Sequence, residues 1–360
     1  MIVRSADMGI NINISYAGWD SGYDTCKLIT NMMQNNNQSP LVFPSLAKER
    51  SKGLISEKEL GIGREFSKER MLLEVKDKDD NYYDFMVGDY VVTQLETGGA
   101  NYEVDKYNAP EELAKLLAGL TTLHPNATSI TVDTLVTGLP IQHHRNHKED
   151  MRKRFEGKFE ARLNNHKGEK VTVTYEFKNV VVIPQAAGAL LYYLNIAGSE
   201  NVMNNKVAIL DIGGRTTDGL AYNQGEIIKE SPFSANVGMS NVFRTVSNQL
   251  NIDENKIREA VINGEDTIRY NQEEKVIKEI VNSACHDVSR EIVNETRSEW
   301  RDFISVIDKI LVVGGSGKIL EPYLKEDFGK IEVELVDNPQ EANVLGYVLR
   351  GQALKSKEEA

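Results

Sequence analysis

Ile209-Leu210-Asp211-Ile212-Gly213-Gly214-Arg215-Thr216-Thr217-Asp218 is the stretch on which the reading of this chain turns. An apolar run meets an aspartate, two glycines follow, and Leu220-Ala221-Tyr222 resumes the apolar run. The pattern predicts a hairpin with strands at 207–211 and 220–222. Glycine in the turn lets the backbone approach an anion with no Cβ in the way, and it permits positive φ. Successive backbone N–H groups there can line up as an anion nest. An aspartate at the strand end is placed to hold Mg2+, directly or through its waters, because that ion keeps much of its hydration shell.

Two further turns share this form. Trp19-Asp20-Ser21-Gly22-Tyr23-Asp24-Thr25-Cys26-Lys27 lies near the N-terminus, and Ile310-Leu311-Val312-Val313-Gly314-Gly315-Ser316-Gly317 lies near the C-terminus. Lys27 is expected on the second strand of its hairpin, within reach of phosphates. A single strand followed by Gly-Gly is ordinarily a tight turn and nothing more. Three such turns in this order are far more specific.

The rest of the chain reads as alternating strands and helices, which means α/β. Strands are expected at 129–137, 171–177, 180–183 and 310–313, with a hairpin turning at Asp79-Asp80-Asn81. Helices are expected at 109–123, 185–196 and 341–350, in the charged segment 143–162, and over most of 240–300. The Asn-rich segment 31–40 reads as a surface loop. His143, His144, His147 and His166 read as a solvated face and not a zinc site, which needs four ligands in closed geometry. Trp300 and Phe303 read as core, and Tyr192 and Tyr193 as packing on their helix.

Composition narrows the class. Of 360 residues, 40% are hydrophobic, enough for a sizeable core. Acidic residues outnumber basic ones 54 to 42, a net charge of -12, so the chain is not expected to bind nucleic acid directly. Two distant cysteines, Cys26 and Cys285, fit a reducing compartment. With no apolar run of signal or anchor length, the expected location is the cytoplasm, with no membrane contact. Asp7-Met8-Gly9 also has the D-x-G form, but no apolar strand precedes it, and it reads as an N-terminal extension.

In order, the motifs resemble the actin-like ATPase superfamily, and within it the bacterial and archaeal actin-like proteins of the ParM plasmid-segregation type. D-S-G-Y-D-T-C-K (20–27) resembles the first phosphate loop and L-V-F-P-S (41–45) the segment after it. T-G-L-P (137–140) resembles the strand end before a variable insertion. V-I-P-Q-A-A-G-A-L-L-Y (182–192) resembles the first connecting helix. L-D-I-G-G-R-T-T-D (210–218) resembles the second phosphate loop, L-V-V-G-G-S-G (311–317) the adenosine motif, and E-A-N-V-L-G-Y (341–347) the closing helix.

The resemblance implies a two-lobed α/β fold with a nucleotide cleft between lobes. Lobe I would be 1–187, with 341–360 returning to it and a small subdomain at about 30–80. Lobe II would be 188–340, with a subdomain at about 240–285. It also implies roles. Asp20 and Asp211 would organise Mg2+ and its waters. Ser21, Gly22 and Lys27, with Tyr23 in the same loop, would hold the β- and γ-phosphates of ATP or GTP. Gly213, Gly214, Arg215, Thr216 and Thr217 would close from the other lobe. Gln185 would orient the attacking water, and Asp218 would accept a hydrogen bond from it. Gly314, Gly315 and Ser316 would admit the nucleoside, with Gly238 nearby. The implied activity is Mg2+-dependent hydrolysis coupled to filament formation, with a DNA-binding adaptor carrying plasmid or phage DNA. Small-molecule kinases share the fold but need an acceptor base, and none stands out. A non-motile scaffold or a nucleotide-sensing partner remains open.

Overall fold

The computed structural model describes residues 9–50, 65–76, 80–94, 109–165, 169–197, 205–224 and 226–359. The chain forms two compact units. One holds residues up to 138, 146–183 and 347 onward. The other holds 139–145 and 184–346.

The first unit is built on nine strands. They are β1 (Ile10–Ser21), β2 (Thr25–Thr30), β3 (Leu41–Pro44), β4 (Ala47–Glu49), β5 (Met71–Lys76), β6 (Tyr82–Val87), β7 (Ala127–Leu139), β8 (Gly157–Asn164) and β9 (Lys170–Pro184). Their order in the sheet is β3-β2-β1-β7-β9-β8-β5-β6-β4. β3 and β4 stand at opposite edges, yet only Ser45 and Leu46 separate them along the chain. The three Cα–Cα steps from Pro44 to Ala47 span at most about 11 Å, so the sheet must curl until its edges nearly meet.

The helix α3 (Pro110–Leu123) packs against β2, β4, β5 and β6 of this curled sheet. It starts with Pro110 at its first position and Glu111 and Glu112 in its first turn, both suited to a helix N-terminus. Every residue from Glu112 to Thr121 is buried. A helix covered on all sides needs apolar residues all round. This one supplies Leu113, Ala114, Leu116, Leu117, Ala118 and Leu120, but it also carries Glu112 and Lys115 inside. The short helices α1 (Asn31–Asn35) and α2 (Asp89–Gln94) complete this part.

Several sequence expectations are refined here. Segment 31–40 is not all loop. Thr30 accepts a hydrogen bond from the Met33 N–H through its side chain and caps α1, while Met33 is buried. The charged helix α4 (Ile141–Phe155) stops early, and β8 follows from Gly157, whose φ of +126° ends the helical run. The strands expected at 171–177 and 180–183 are one strand, β9, because Lys178 and Asn179 face outward without breaking the extended chain. The hairpin β5–β6 forms as expected, with Lys76 opposite Tyr82. Asp79 in its turn, His166, and Asp7 and Met8 lie outside the described residues.

The second unit has a six-stranded sheet. Its strands are β10 (Lys206–Ile212), β11 (Thr217–Asn223), β12 (Glu226–Ile227), β13 (Phe233–Ala235), β16 (Lys309–Val313) and β17 (Glu332–Leu335). β10, β16 and β17 run parallel, whereas β11 is antiparallel to β10. The central strands are apolar on both faces. Ala208, Leu210 and Ile212 of β10 enter one core with Ile310 and Val312. Val207 and Ile209 enter the other with Leu311 and Val313.

On the first face lie α6 (Met239–Leu250), α7 (Glu254–Ile262), α8 (Lys278–Glu299) and α9 (Gly317–Phe328). Buried positions on α8 fall at 284, 285, 288, 289, 292, 293 and 296, one stripe at helical spacing. Trp300 is fully buried, and its indole N–H donates to Ser231 O at 2.8 Å. Phe303 packs beside it. On the second face α5 (Gln185–Ala197) packs against β10 and β11, with Tyr192 and Tyr193 at its margin. Within the segment read as mostly helical, β14 (Thr267–Tyr270) and β15 (Glu273–Val276) form a hairpin. Asn271 and Gln272, both at positive φ, make its two-residue turn. The last helix, α10 (Ala342–Glu358), starts in this unit and ends in the other.

Candidate nucleotide site

The loop of the first unit follows from strand register. β1 and β2 pair so that Asp20 stands opposite Lys27. The Lys27 ammonium donates to Asp20 Oδ2 at 3.0 Å, and both residues are buried. In the turn between them Gly22 N donates to Thr25 O at 3.1 Å. A Cβ on Gly22 would lie 2.9 Å from that same oxygen, so the tight turn excludes a side chain. Ser21 Oγ donates to Glu112 Oε2 at 2.6 Å. Glu112 is paired in turn with Lys115, which also donates to Ser45 Oγ at 3.1 Å. Tyr23 is half-buried in the loop.

The loop of the second unit is the turn between β10 and β11. Gly213 N donates to Thr216 O at 2.9 Å and closes it. Register sets Asp211 opposite Asp218. Two like charges facing across a strand pair destabilise the sheet, and the environments of this pair differ. Asp218 is buried, and burial pushes its carboxyl up to about 6, partly opposed by hydrogen bonds from Ser234, the Ile141 N–H and Thr216. Ile141 N lies 2.9 Å from Asp218 Oδ1, so this carboxylate caps the first turn of α4. Asp211 instead accepts from Asn343 Nδ2 at 2.7 Å on Oδ2.

Two more glycine turns lock onto this loop. Gly314 has φ +92°, and a Cβ there would stand 2.4 Å from Ile212 O and 2.6 Å from Asp211 Oδ1. Ser316 Oγ donates to Gly213 O at 3.1 Å. A Cβ on Gly238 would meet Gly213 O at 2.6 Å. The first N–H groups of α6 are also used, with Met239 N on Gly213 O and Ser240 N on Gly214 O. Thr217 Oγ1 donates to Val237 O at 2.8 Å. Gly213, Gly214, Gly238, Gly314, Ser316, Thr217, Asp211 and Asp218 are thus one assembly in the second unit. Gly315 is exposed, and Arg215 and Thr216 are half-buried on the turn. Gln185 is the first residue of α5, after Pro184. Asp20, Ser21, Gly22, Tyr23 and Lys27 form the corresponding assembly in the first unit.

Sequence reasoning missed Glu112, Lys115, Ser234 and Asn343. A signal existed for three of them. Glu112 and Lys115 sit three apart inside an apolar helix, and Asn343 lies between Ala342 and Val344.

These residues suit a Mg2+ ion and a phosphate chain. Asn343 Oδ1 is buried with no hydrogen-bond partner among the described residues, beside the Asp211 carboxylate. An orphaned acceptor there matches a bound water of a hydrated cation. The glycines bring the turns into direct contact, since a Cβ on Gly22, Gly238 or Gly314 would collide with backbone oxygens of the turns themselves.

Two family models match the chain. Actin like proteins N terminal domain covers residues 18–188. Archaeal actin homologue MreB-like, C-terminal, covers 209–326. The fold is actin-like, and each of the two matches is to part of an actin-like protein. Among solved structures it resembles the actin-like protein Alp7A, at 15% identity over 97% of this chain and 98% of that one, with a TM-score of 0.75. A 15-stranded ParM filament from Clostridium botulinum is 21% identical over 94% and 99%, with a TM-score of 0.73. An archaeal actin homologue in complex with ADP is 17% identical over 94% and 99%, with a TM-score of 0.70. The chain therefore resembles ParM-type actin-like proteins. No curated protein sequence matches it. Among the described residues, no helix is long and apolar enough to cross a membrane.

Proposed function

We propose that this protein binds ATP or GTP with Mg2+, hydrolyses it, and uses the cycle to time its own assembly into filaments. The observation that carries the reading is the second-unit loop. Asp211 is held by Asn343 and walled by Gly314, at a strand end followed by the Gly213-Gly214 turn.

In this reading Asp20 and Asp211 hold the hydrated Mg2+, which would supply charge neutralisation of the phosphates. Ser21, Gly22 and Lys27 take the β- and γ-phosphates, and Gly213 to Thr217 take them from the second loop. Gln185 positions the attacking water; its neutral amide orients and does not deprotonate, which suits a reaction dominated by positioning. Asp218 already accepts from Ile141 and Ser234 on Oδ1 and from Thr216 on Oδ2, which leaves one lone-pair position on Oδ2 to accept from water. Gly314, Gly315 and Ser316 border the nucleoside, with Gly238 packed behind.

Filament formation draws support from the likeness to a ParM that forms a 15-stranded filament. Nucleotide binding draws support from the homologue solved with ADP. The cargo we propose is plasmid or phage DNA held through a basic adaptor, because a chain of net charge -12 repels the phosphate backbone. The cytoplasm suits two buried cysteines far apart in sequence, Cys26 and Cys285. The test is light scattering with phosphate release on purified protein, given Mg2+ and ATP, then GTP. Scattering above a critical concentration, followed by phosphate, is expected. Turnover only after a small-molecule acceptor is added would replace this reading with a kinase.

A further inference from the structure

Inside the curled sheet, α3 buries a full ion pair directly behind the first loop. Glu112 and Lys115 are each only 3% exposed. Burial alone would pull the Lys115 ammonium down, but the charge and hydrogen bond of Glu112 more than reverse this, and its pKa ends above the ordinary lysine value. The pair has one contact at each end. Glu112 Oε2 accepts a hydrogen bond from Ser21 Oγ at 2.6 Å, and Lys115 donates to Ser45 Oγ at 3.1 Å.

A serine hydroxyl has one proton. Given to Glu112, it leaves Ser21 Oγ presenting lone pairs, and the Cys26 thiol at 3.8 Å is a neighbour those lone pairs can accept from. Lone pairs repel phosphate oxygens. We propose that Glu112 is a positioning residue that withholds the Ser21 proton from the nucleotide, so that phosphate binding must compete with a charge-assisted hydrogen bond. Lys115 pairs with Glu112 and ties the same exchange to Ser45, in the two-residue link between the sheet edges. This rests on the reading of Ser21 as a phosphate ligand.

Glu112→Gln with Lys115→Met removes both charges at nearly constant volume, a replacement buried ion pairs often tolerate. Glu112→Asp is the second variant; it keeps the charge and draws the carboxylate back by one methylene. Affinities for MgADP and for a non-hydrolysable ATP analogue are measured below any critical concentration, with melting temperature alongside. Either variant is expected to bind roughly tenfold tighter, the size of one hydrogen bond to a charged group. Ser21→Ala should cost more affinity in either variant background than in the wild-type background, and so abolish that gain. A purely structural dyad predicts a lower melting temperature with an unchanged Ser21→Ala effect. That result would overturn the proposal while leaving the nucleotide site standing. If the wild-type protein bound neither nucleotide, both readings would fall.

Discussion

Asn343 Nδ2 donates to Asp211 Oδ2 at 2.7 Å, and through this one hydrogen bond the start of α10 grips the end of β10. The amide orients the carboxylate that is proposed to face Mg2+. Asn343→Leu should leave nucleotide affinity in EDTA unchanged and remove most of the gain that Mg2+ provides. Asp211→Ala should lose both that gain and hydrolysis. Titration of a fluorescent nucleotide with and without Mg2+ separates these cases, and a Leu variant that responds fully to Mg2+ would dismiss the role of Asn343.

The raised pKa of Asp218 has a definite sign. Burial favours the neutral carboxyl, so the native state holds this proton more tightly than the unfolded chain does. Its contribution to stability is greatest below the unfolded value of 3.8 and is lost as pH rises through about 6. By neutrality the loss is on the order of 3 kcal/mol. Urea unfolding of wild type and Asp218→Asn between pH 4.5 and 7.5 should show their stability difference shifting towards the variant as pH rises. A pH-independent difference would remove the perturbed carboxyl.

Gly314 and Gly329 both have positive φ, but only Gly314 is crowded. Gly329→Ala should cost about 1 kcal/mol from backbone strain alone. Gly314→Ala adds a clash with Ile212 O and Asp211 Oδ1 and should cost several times more, while also weakening the response to Mg2+. Thermal unfolding of the two variants makes the comparison. Equal melting temperatures would mean that the Gly314 wall yields easily.

Gln185→Ala should slow hydrolysis on the order of 10–100-fold and spare nucleotide binding, because only water positioning is removed. Single-turnover phosphate release, beside a binding titration, reads both. Loss of binding in this variant would show that Gln185 does something else.

The three glycine turns, the strands leading into them and the connecting helices were legible in the sequence because each depends on local chemistry. Apolar runs fix β10 and β16, and glycines fix the turns after them. What escaped depends on neighbours distant along the chain. Glu112 and Lys115 sit three apart in an apolar helix, but only the enclosing sheet makes them interior. The triple engagement of Asp218 required Ile141 and Ser234, distant in sequence and brought near by the sheet. The β14–β15 hairpin was missed because its strands are short and mostly polar, and its turn uses Asn271-Gln272 in place of Asn-Gly.

The curled sheet has a consequence for how the protein is made. β9 stands between β7 and β8, so the nine-stranded order closes only after residue 184 has been synthesised. By then some sixty residues have been added since the end of α3, whose apolar faces and charges have had no completed sheet to cover them. The folding of the first half of the chain is therefore gated by the arrival of one late strand.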